Sequence, residues 1–162
     1  MKLIVAVSEN WGIGRDNDLL FNIPQDMKFF RETTSGKTVI LGRKNLESFP
    51  GKKPLPKRTN IILTRDTAFT CEGAVICHSV DEVLSHPSAD EDAFVIGGEE
   101  IYRQFLPWCD TCFVTKVKET VPAQKFMVNL DLLPEWELTE ESEEIEDNGH
   151  IIKFCKYERK SL

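Results

Sequence analysis

Short apolar runs of four to eight residues, separated by glycine, proline and brief helical patterns, recur through the first two thirds of the chain and leave it few folds to choose from. Runs this short and continuously apolar suit strands covered on both faces, the mark of a largely parallel sheet, and parallel neighbours need crossover connections. Strands are expected near residues 2–8, 38–42, 59–64, 74–77, 93–97 and 111–118, with helices at about 24–34, 43–48, 80–86 and 98–106. The last third changes character. Trp136-Glu137-Leu138-Thr139 begins a mixed polar strand, Asp147-Asn148-Gly149 is a hairpin turn, and a strand returns from Ile151 to Tyr157. The expectation is an α/β fold, one domain over 1–162: a central eight-stranded, mostly parallel sheet with an antiparallel C-terminal edge hairpin and helices on both faces.

The 162 residues, 41% of them hydrophobic, can bury one substantial core. No apolar stretch approaches the roughly 18 residues of a membrane span, and the chain opens directly on a strand-like Lys2-Leu3-Ile4-Val5-Ala6-Val7, so a cytoplasmic protein off the membrane is expected. Five cysteines without secretory context read as reduced thiols. The net charge of −7 hides a segregation: from Asp26 to Arg65 lie ten basic residues against three acidic ones. A basic segment on an acidic body points to a small polyanion, whereas a nucleic-acid binder is more often basic throughout.

Asp26 stands in the first turn of a helix opened by Pro24, among apolar Ile23, Met27 and Phe30. Desolvation there raises its pKa and leaves its oxygens to a cationic or amidine-like partner, which describes a site for a flat nitrogen heterocycle. The plainer reading is an acidic residue that complements the helix dipole. Gly97-Gly98 joins a strand to a helix and lets backbone N–H groups approach a diphosphate; an ordinary tight turn is the competing reading. Gly42-Arg43-Lys44 repeats the junction with two cations, and Arg65 follows another strand end. Together they point to a nucleotide with several phosphates. The dinucleotide fingerprint is absent, because Asn17 stands where a third glycine would follow Gly12 and Gly14, so those glycines read as a mobile loop covering a site. Cys109-Asp110-Thr111-Cys112 has no second pair and runs into a strand, and His78, His86 and His150 lie in separate elements, so no metal is expected. No Gly-x-Ser-x-Gly elbow marks a covalent nucleophile.

In this order and spacing, Leu3-Ile4-Val5-Ala6, Gly12-Ile13-Gly14, Asn22-Ile23-Pro24 with Asp26, Gly42-Arg43-Lys44, Pro54-Leu55-Pro56 with Arg58, Asn60-Ile61-Ile62-Leu63-Thr64, Ile96-Gly97-Gly98 with Tyr102, and Thr115 resemble a bacterial dihydrofolate reductase over nearly the whole chain. The resemblance implies hydride transfer from NADPH to C6 of 7,8-dihydrofolate with protonation at N5, in a water-poor cleft that stacks the two rings. It implies that Asp26 holds the pterin 2-amino group and N3, braced by Thr115. It also places Leu19 and Phe21 at the catalytic centre, with water reaching N5 when the loop around Leu19 shifts. Ile4, Val5, Ala6, Met27, Phe30, Arg31, Phe49, Leu55, Ile96 and Tyr102 match positions around the substrate, and Arg58 pairs with its glutamate α-carboxylate.

For NADPH the resemblance implies Ala6, Ile13, Gly14, Asp18, Leu19, Gly42, Arg43, Lys44, Asn45, Leu63, His78, Ile96, Gly97, Gly98, Glu99, Glu100, Ile101 and Tyr102, with Thr64 and Arg65 at the 2′-phosphate and a cis Gly97-Gly98 bond. It further implies a monomer that binds dihydrofolate and antifolate-type inhibitors. Several residues depart from the pattern: Phe21 replaces a usual Trp, Leu20 a proline, Asn45 a Thr and Leu46 an aromatic. Residues 123–128 also lack the family's acidic residue, which puts the hold on the covering loop in question. Two rival readings are a riboflavin-pathway reductase of the same fold and a non-catalytic nucleotide-binding module; Asp26 argues against both.

Overall fold

In the computed structural model, which describes residues 1–16 and 18–160, a nine-stranded sheet forms the centre of the molecule. Asn17 lies outside the described residues. Six strands run parallel: β1 (Lys2–Val7), β4 (Thr38–Gly42), β5 (Thr59–Leu63), β6 (Ala74–Cys77), β7 (Phe94–Gly97) and β8 (Thr111–Val117). The antiparallel part is β10 (Trp136–Glu141), β11 (Ile145–Asp147) and β12 (His150–Arg159). The order is β10-β12-β8-β1-β7-β4-β5-β6, with β11 also on β12. One strand is therefore added to the expected eight: Ile145–Asp147 is short and only partly buried, so no apolar run announces it. The returning strand β12 is interior, and β10 forms the edge.

The period of two along each strand explains the two-sided core. Leu3, Val5, Ile40, Ile61 and Val95 face one side, where they pack with Val83, Ile101 and Phe105. Ile4, Val39, Leu41, Ile62 and Phe94 face the other, with Leu46 and the partly buried Phe29 and Phe30. Those partners belong to four helices, α1 (Pro24–Thr34), α2 (Arg43–Glu47), α3 (Val80–Ser85) and α4 (Glu99–Phe105), so helices cover both faces.

A second, three-stranded sheet lies where a loop was expected. Gly12–Arg15 forms β2, flanked by β3 (Asp18–Leu19) and β9 (Lys125–Phe126), in the order β3-β2-β9. Gly12 permits a close approach: a Cβ there would fall 2.6 Å from the Ala123 Cβ and 2.9 Å from Ser8 Oγ. Neither is the end of a flexible side chain, so Gly12→Ala must part β2 from the 123 segment, at a cost of about 1–3 kcal/mol in urea denaturation. Unchanged stability would show that the two segments are not in close contact.

The N-terminus of α1 is held from far away in sequence. Its N-cap, Ile23, offers no side-chain acceptor, but Asp147 Oδ2 accepts from the Gln25 N–H at 2.7 Å and Asn148 Nδ2 donates to the Asn22 carbonyl at 3.0 Å. The β11–β12 turn thus fixes the start of the helix that carries Asp26.

Candidate active site

A cavity of about 1370 Å³ runs past the C-terminal ends of β1, β4, β5 and β7, where open α/β sheets bind ligands. Every residue singled out as a site candidate lines it except Gly97 and Thr115, which sit directly behind the wall. Its lining includes Asp26 with Ile4, Val5, Ala6, Met27, Phe30, Arg31, Phe49, Leu55, Arg58 and Ile96. It also includes Gly42, Arg43, Lys44, Asn45, Leu63, Thr64, Arg65, His78, Gly98, Glu99, Glu100 and Ile101. Ile13, Gly14, Asp18, Leu19 and Phe21 bring the small sheet and the segment after it to the same cavity, and Leu19 is 71% exposed.

Asp26, on α1, stands in this wall as a carboxylate drawn toward neutrality. Burial pushes its pKa up, and the hydrogen bond from Thr115 Oγ1, 2.6 Å to Oδ1, partly offsets that. Thr115 is buried in the centre of β8, so the hydroxyl that reaches across 89 residues of sequence is rigidly placed. Met27 is half exposed along the cavity, while Ile23 is buried. The cavity wall and the core therefore share the apolar face of α1.

Tyr102 is buried, and its hydroxyl is shared between the carbonyls of Ile4 (2.8 Å) and Ile96 (2.9 Å), tying β1 to β7. Burial, with Asp26 adding to it, raises the phenol's pKa and keeps it a neutral donor. Asn45 Nδ2 reaches the same Ile96 carbonyl at 3.3 Å. The Gly97-Gly98 peptide is cis, and Gly97 has φ 118°. A Cβ on Gly98 would meet nothing within 4 Å, so the space beside it belongs to the cavity.

The cations are not equivalent. Arg43 Nε donates to Glu47 at 2.9 Å and Nη1 to Asp66 at 2.8 Å, while its guanidinium lies 4.5 Å from the centre of the Phe69 ring. These two carboxylates hold its pKa up and offset its charge. Arg58 is fixed by neutral partners: Nε donates to Thr34 Oγ1 (2.9 Å) and Nη1 to the Pro56 carbonyl (3.2 Å). Burial and the nearby Arg31 lower its pKa, the mark of a cation with uncompensated charge. His78 Nδ1 lies 2.9 Å from the Thr64 carbonyl, which fixes that nitrogen as the protonated one and leaves Nε2 for another partner.

Sequence assigns no role to two residues that position others, Thr34 and Asn60, the second of which enters only as part of a strand motif. Thr34 is buried, donates to the Phe30 carbonyl at 2.8 Å and orients Arg58. Asn60, also buried, accepts from Leu55 N–H (3.0 Å) and donates to the carbonyls of Leu55 (2.9 Å) and Arg58 (3.2 Å), shaping the loop that presents both residues. A lone Asn in an otherwise apolar strand is the signal that could have marked it, because a buried amide needs partners.

The five cysteines are free, and burial pushes the Cys109 thiol up to about 12, so the C-x-x-C pair is structural. Among the described residues no group of His, Cys, Asp or Glu is placed to hold a metal, and no helix is long and apolar enough to cross a membrane.

A family model described as dihydrofolate reductase matches residues 1–159. The chain is 37% identical over 163 residues to a dihydrofolate reductase of Staphylococcus haemolyticus, covering 98% of this chain and 95% of that one. It is 33% identical to that of Bacillus subtilis, covering 99% and 95%. Among solved structures it is similar to a dihydrofolate reductase from Enterococcus faecalis complexed with NADP(H) and RAB-propyl, with a TM-score of 0.88, 32% identity and coverage of 99% and 96%.

Proposed function

Because the chain belongs to the dihydrofolate reductase family, we infer that it reduces 7,8-dihydrofolate to 5,6,7,8-tetrahydrofolate with NADPH, by hydride transfer to C6 and protonation at N5. The carrying observation is the Asp26–Thr115 pair at the base of an apolar cavity wall.

NADPH supplies the hydride. The cofactor end of the cavity suits it, because the open space beside Gly98 admits a backbone-hugging group and Lys44, Arg65 and His78 bring positive or donor character for phosphates. Arg43, already spent on Glu47 and Asp66, has less to offer there than Lys44 or Arg65. Asp26 binds the pterin through its 2-amino group and N3. Its raised pKa lets it hold a proton shared with the ring, which makes C6 more electrophilic. Thr115 fixes the carboxylate's orientation. Leu19, on β3, covers the reacting face and moves to admit the water that protonates N5.

Arg58 pairs with the substrate's α-carboxylate through the N–H groups that Thr34 and Pro56 do not use. Arg58→Leu is accordingly expected to raise the KM for dihydrofolate about 30-fold, the loss of roughly 2 kcal/mol of charge-assisted bonding, with NADPH affinity unchanged. Steady-state kinetics with each ligand varied in turn tests this, and equal weakening of both ligands would remove Arg58 from the substrate end. Antifolate-type inhibitors fit the same wall. A cytoplasmic monomer is in keeping with five free thiols and a sheet whose hydrophobic faces are covered by its own helices. The whole reading is tested by following NADPH oxidation in the presence and absence of dihydrofolate. Oxidation without substrate dependence would overturn it.

A further inference from the structure

Glu99 does more than complement the first turn of α4. A carboxylate serving only the helix dipole can stay in solvent, yet this side chain is 17% exposed and both its oxygens are engaged. Oε2 accepts from the Phe126 N–H at 2.6 Å, and Oε1 lies 3.6 Å from Arg103 Nη2, one turn further along the helix. Phe126 belongs to β9, one of the two edge strands of the small sheet, and its N–H points away from β2 toward α4. A charged acceptor on an edge amide makes a short, strong bond, and it closes an edge that would otherwise be open.

The tie has a clear mechanical reach. Phe126 is in register with Gly12 and Lys125 with Gly14, and Gly14 is in register with Leu19. On the same side Gln124 Oε1 accepts from the Asp16 N–H at 2.9 Å and its Nε2 approaches Asp16 Oδ1 at 3.4 Å, so the amide side chain grips the β2–β3 turn by two atoms. One path of hydrogen bonds thus leads from the Gly97-Gly98 junction through Glu99, β9 and β2 to Leu19.

We propose that Glu99 is a positioning residue that ties the Gly97-Gly98 junction to the small sheet, so that the seat of NADPH and the cover over the reacting face hold each other in place. The proposal rests on the reading above that NADPH lies at this junction. It assigns to a carboxylate on α4 a hold on residues 123–128 that adds to the hydrogen bonds of Gln124 and the packing of Met127 in the core.

The test compares wild type, Glu99→Ala and Glu99→Gln by amide exchange in two-dimensional NMR and by stopped-flow kinetics. In Glu99→Ala the Phe126 amide is expected to exchange at least about tenfold faster, while the Met127 amide, bonded to the Trp11 carbonyl at 2.9 Å, stays protected. NADPH dissociation should accelerate about fivefold or more and hydride transfer slow by a similar factor, with the KM for dihydrofolate unchanged. Glu99→Gln keeps the length and an accepting oxygen, so it should recover most of both effects. Unchanged Phe126 exchange in Glu99→Ala would overturn the proposal, as would faster exchange with unaltered NADPH dissociation. Exchange and NADPH release need no turnover: a wild type that fails to reduce dihydrofolate defeats the functional reading, whereas an active enzyme with an indifferent Glu99→Ala defeats this inference alone.

Discussion

Asp26→Asn is expected to lower kcat for dihydrofolate about 10²-fold at neutral pH, the scale of losing a positioned proton-holding group, and to recover part of the rate as the pH falls. An amide still accepts from Thr115 Oγ1 and still fills the space, so geometry is retained while the proton shared with the pterin is lost. At lower pH the ring takes that proton from solvent. Stability should move the other way. The carboxyl's folded pKa lies above its ordinary 3.8 because burial penalises the charged form. Its favourable contribution is therefore complete below the unfolded value and is lost as the pH rises through the folded one. Above that window wild type carries a desolvated charge, and Asp26→Asn does not, so the variant should melt at an equal or higher temperature at neutral pH. Scanning calorimetry across pH, with single-turnover kinetics, checks both halves. Undiminished turnover would remove Asp26 from the reaction, and a lower melting temperature would show that the charge is well solvated or paired.

The second large effect is expected from Gly97→Ala set beside Gly98→Ala. At Gly97 a Cβ would stand 3.2 Å from two ring carbons and the hydroxyl oxygen of Tyr102, on a residue whose φ of 118° other side chains rarely adopt. The ring cannot yield easily, because its hydroxyl is held by Ile4 and Ile96. A strain of about 2 kcal/mol should lower Tm by roughly 6 °C and, by displacing Tyr102, weaken NADPH binding about tenfold. At Gly98 nothing lies within 4 Å of the added Cβ, so Tm should hold while the methyl group takes up cofactor space and raises the KM for NADPH. Equal loss of Tm in both variants would refute the assignment of Gly98 to the cavity. Equal NADPH affinity in both and in wild type would place the cofactor elsewhere.

The contrast between these glycines shows where sequence reasoning stops. Gly-Gly after a strand announces close approach, but which glycine is pressed by the protein and which by a ligand depends on a tyrosine four or five residues on. The strands Thr38–Gly42 and Ala74–Cys77 were legible to the residue because apolar runs end sharply there. Ile145–Asp147 and the small sheet were not, since strands of two to four residues are carried by backbone bonds to partners distant in sequence rather than by periodicity. Asp26 was conspicuous as a lone acid on an apolar face. Thr115 carries no local mark and became visible only through the family pattern. Met27 and Ile23 look alike in sequence, yet the first is half exposed along the cavity and the second is buried. Arg43 reads in sequence as one of two cations at a glycine junction, and its pairing with Asp66, 23 residues away, lies beyond any short-range spacing rule.

The distant cap on α1 has a consequence for how the protein is made. While the chain is still emerging from the ribosome, the helix bearing Asp26 is complete within the first 34 residues, yet the carboxylate and amide that secure its start arrive with Asp147 and Asn148. Thr115, which orients Asp26, sits on a strand flanked by β1 (Lys2–Val7) and by β12 (His150–Arg159). Nascent polypeptides that stop short of β12 therefore lack a settled Asp26 carboxylate. Competence for one-carbon chemistry comes only once residues 145–159 have been made.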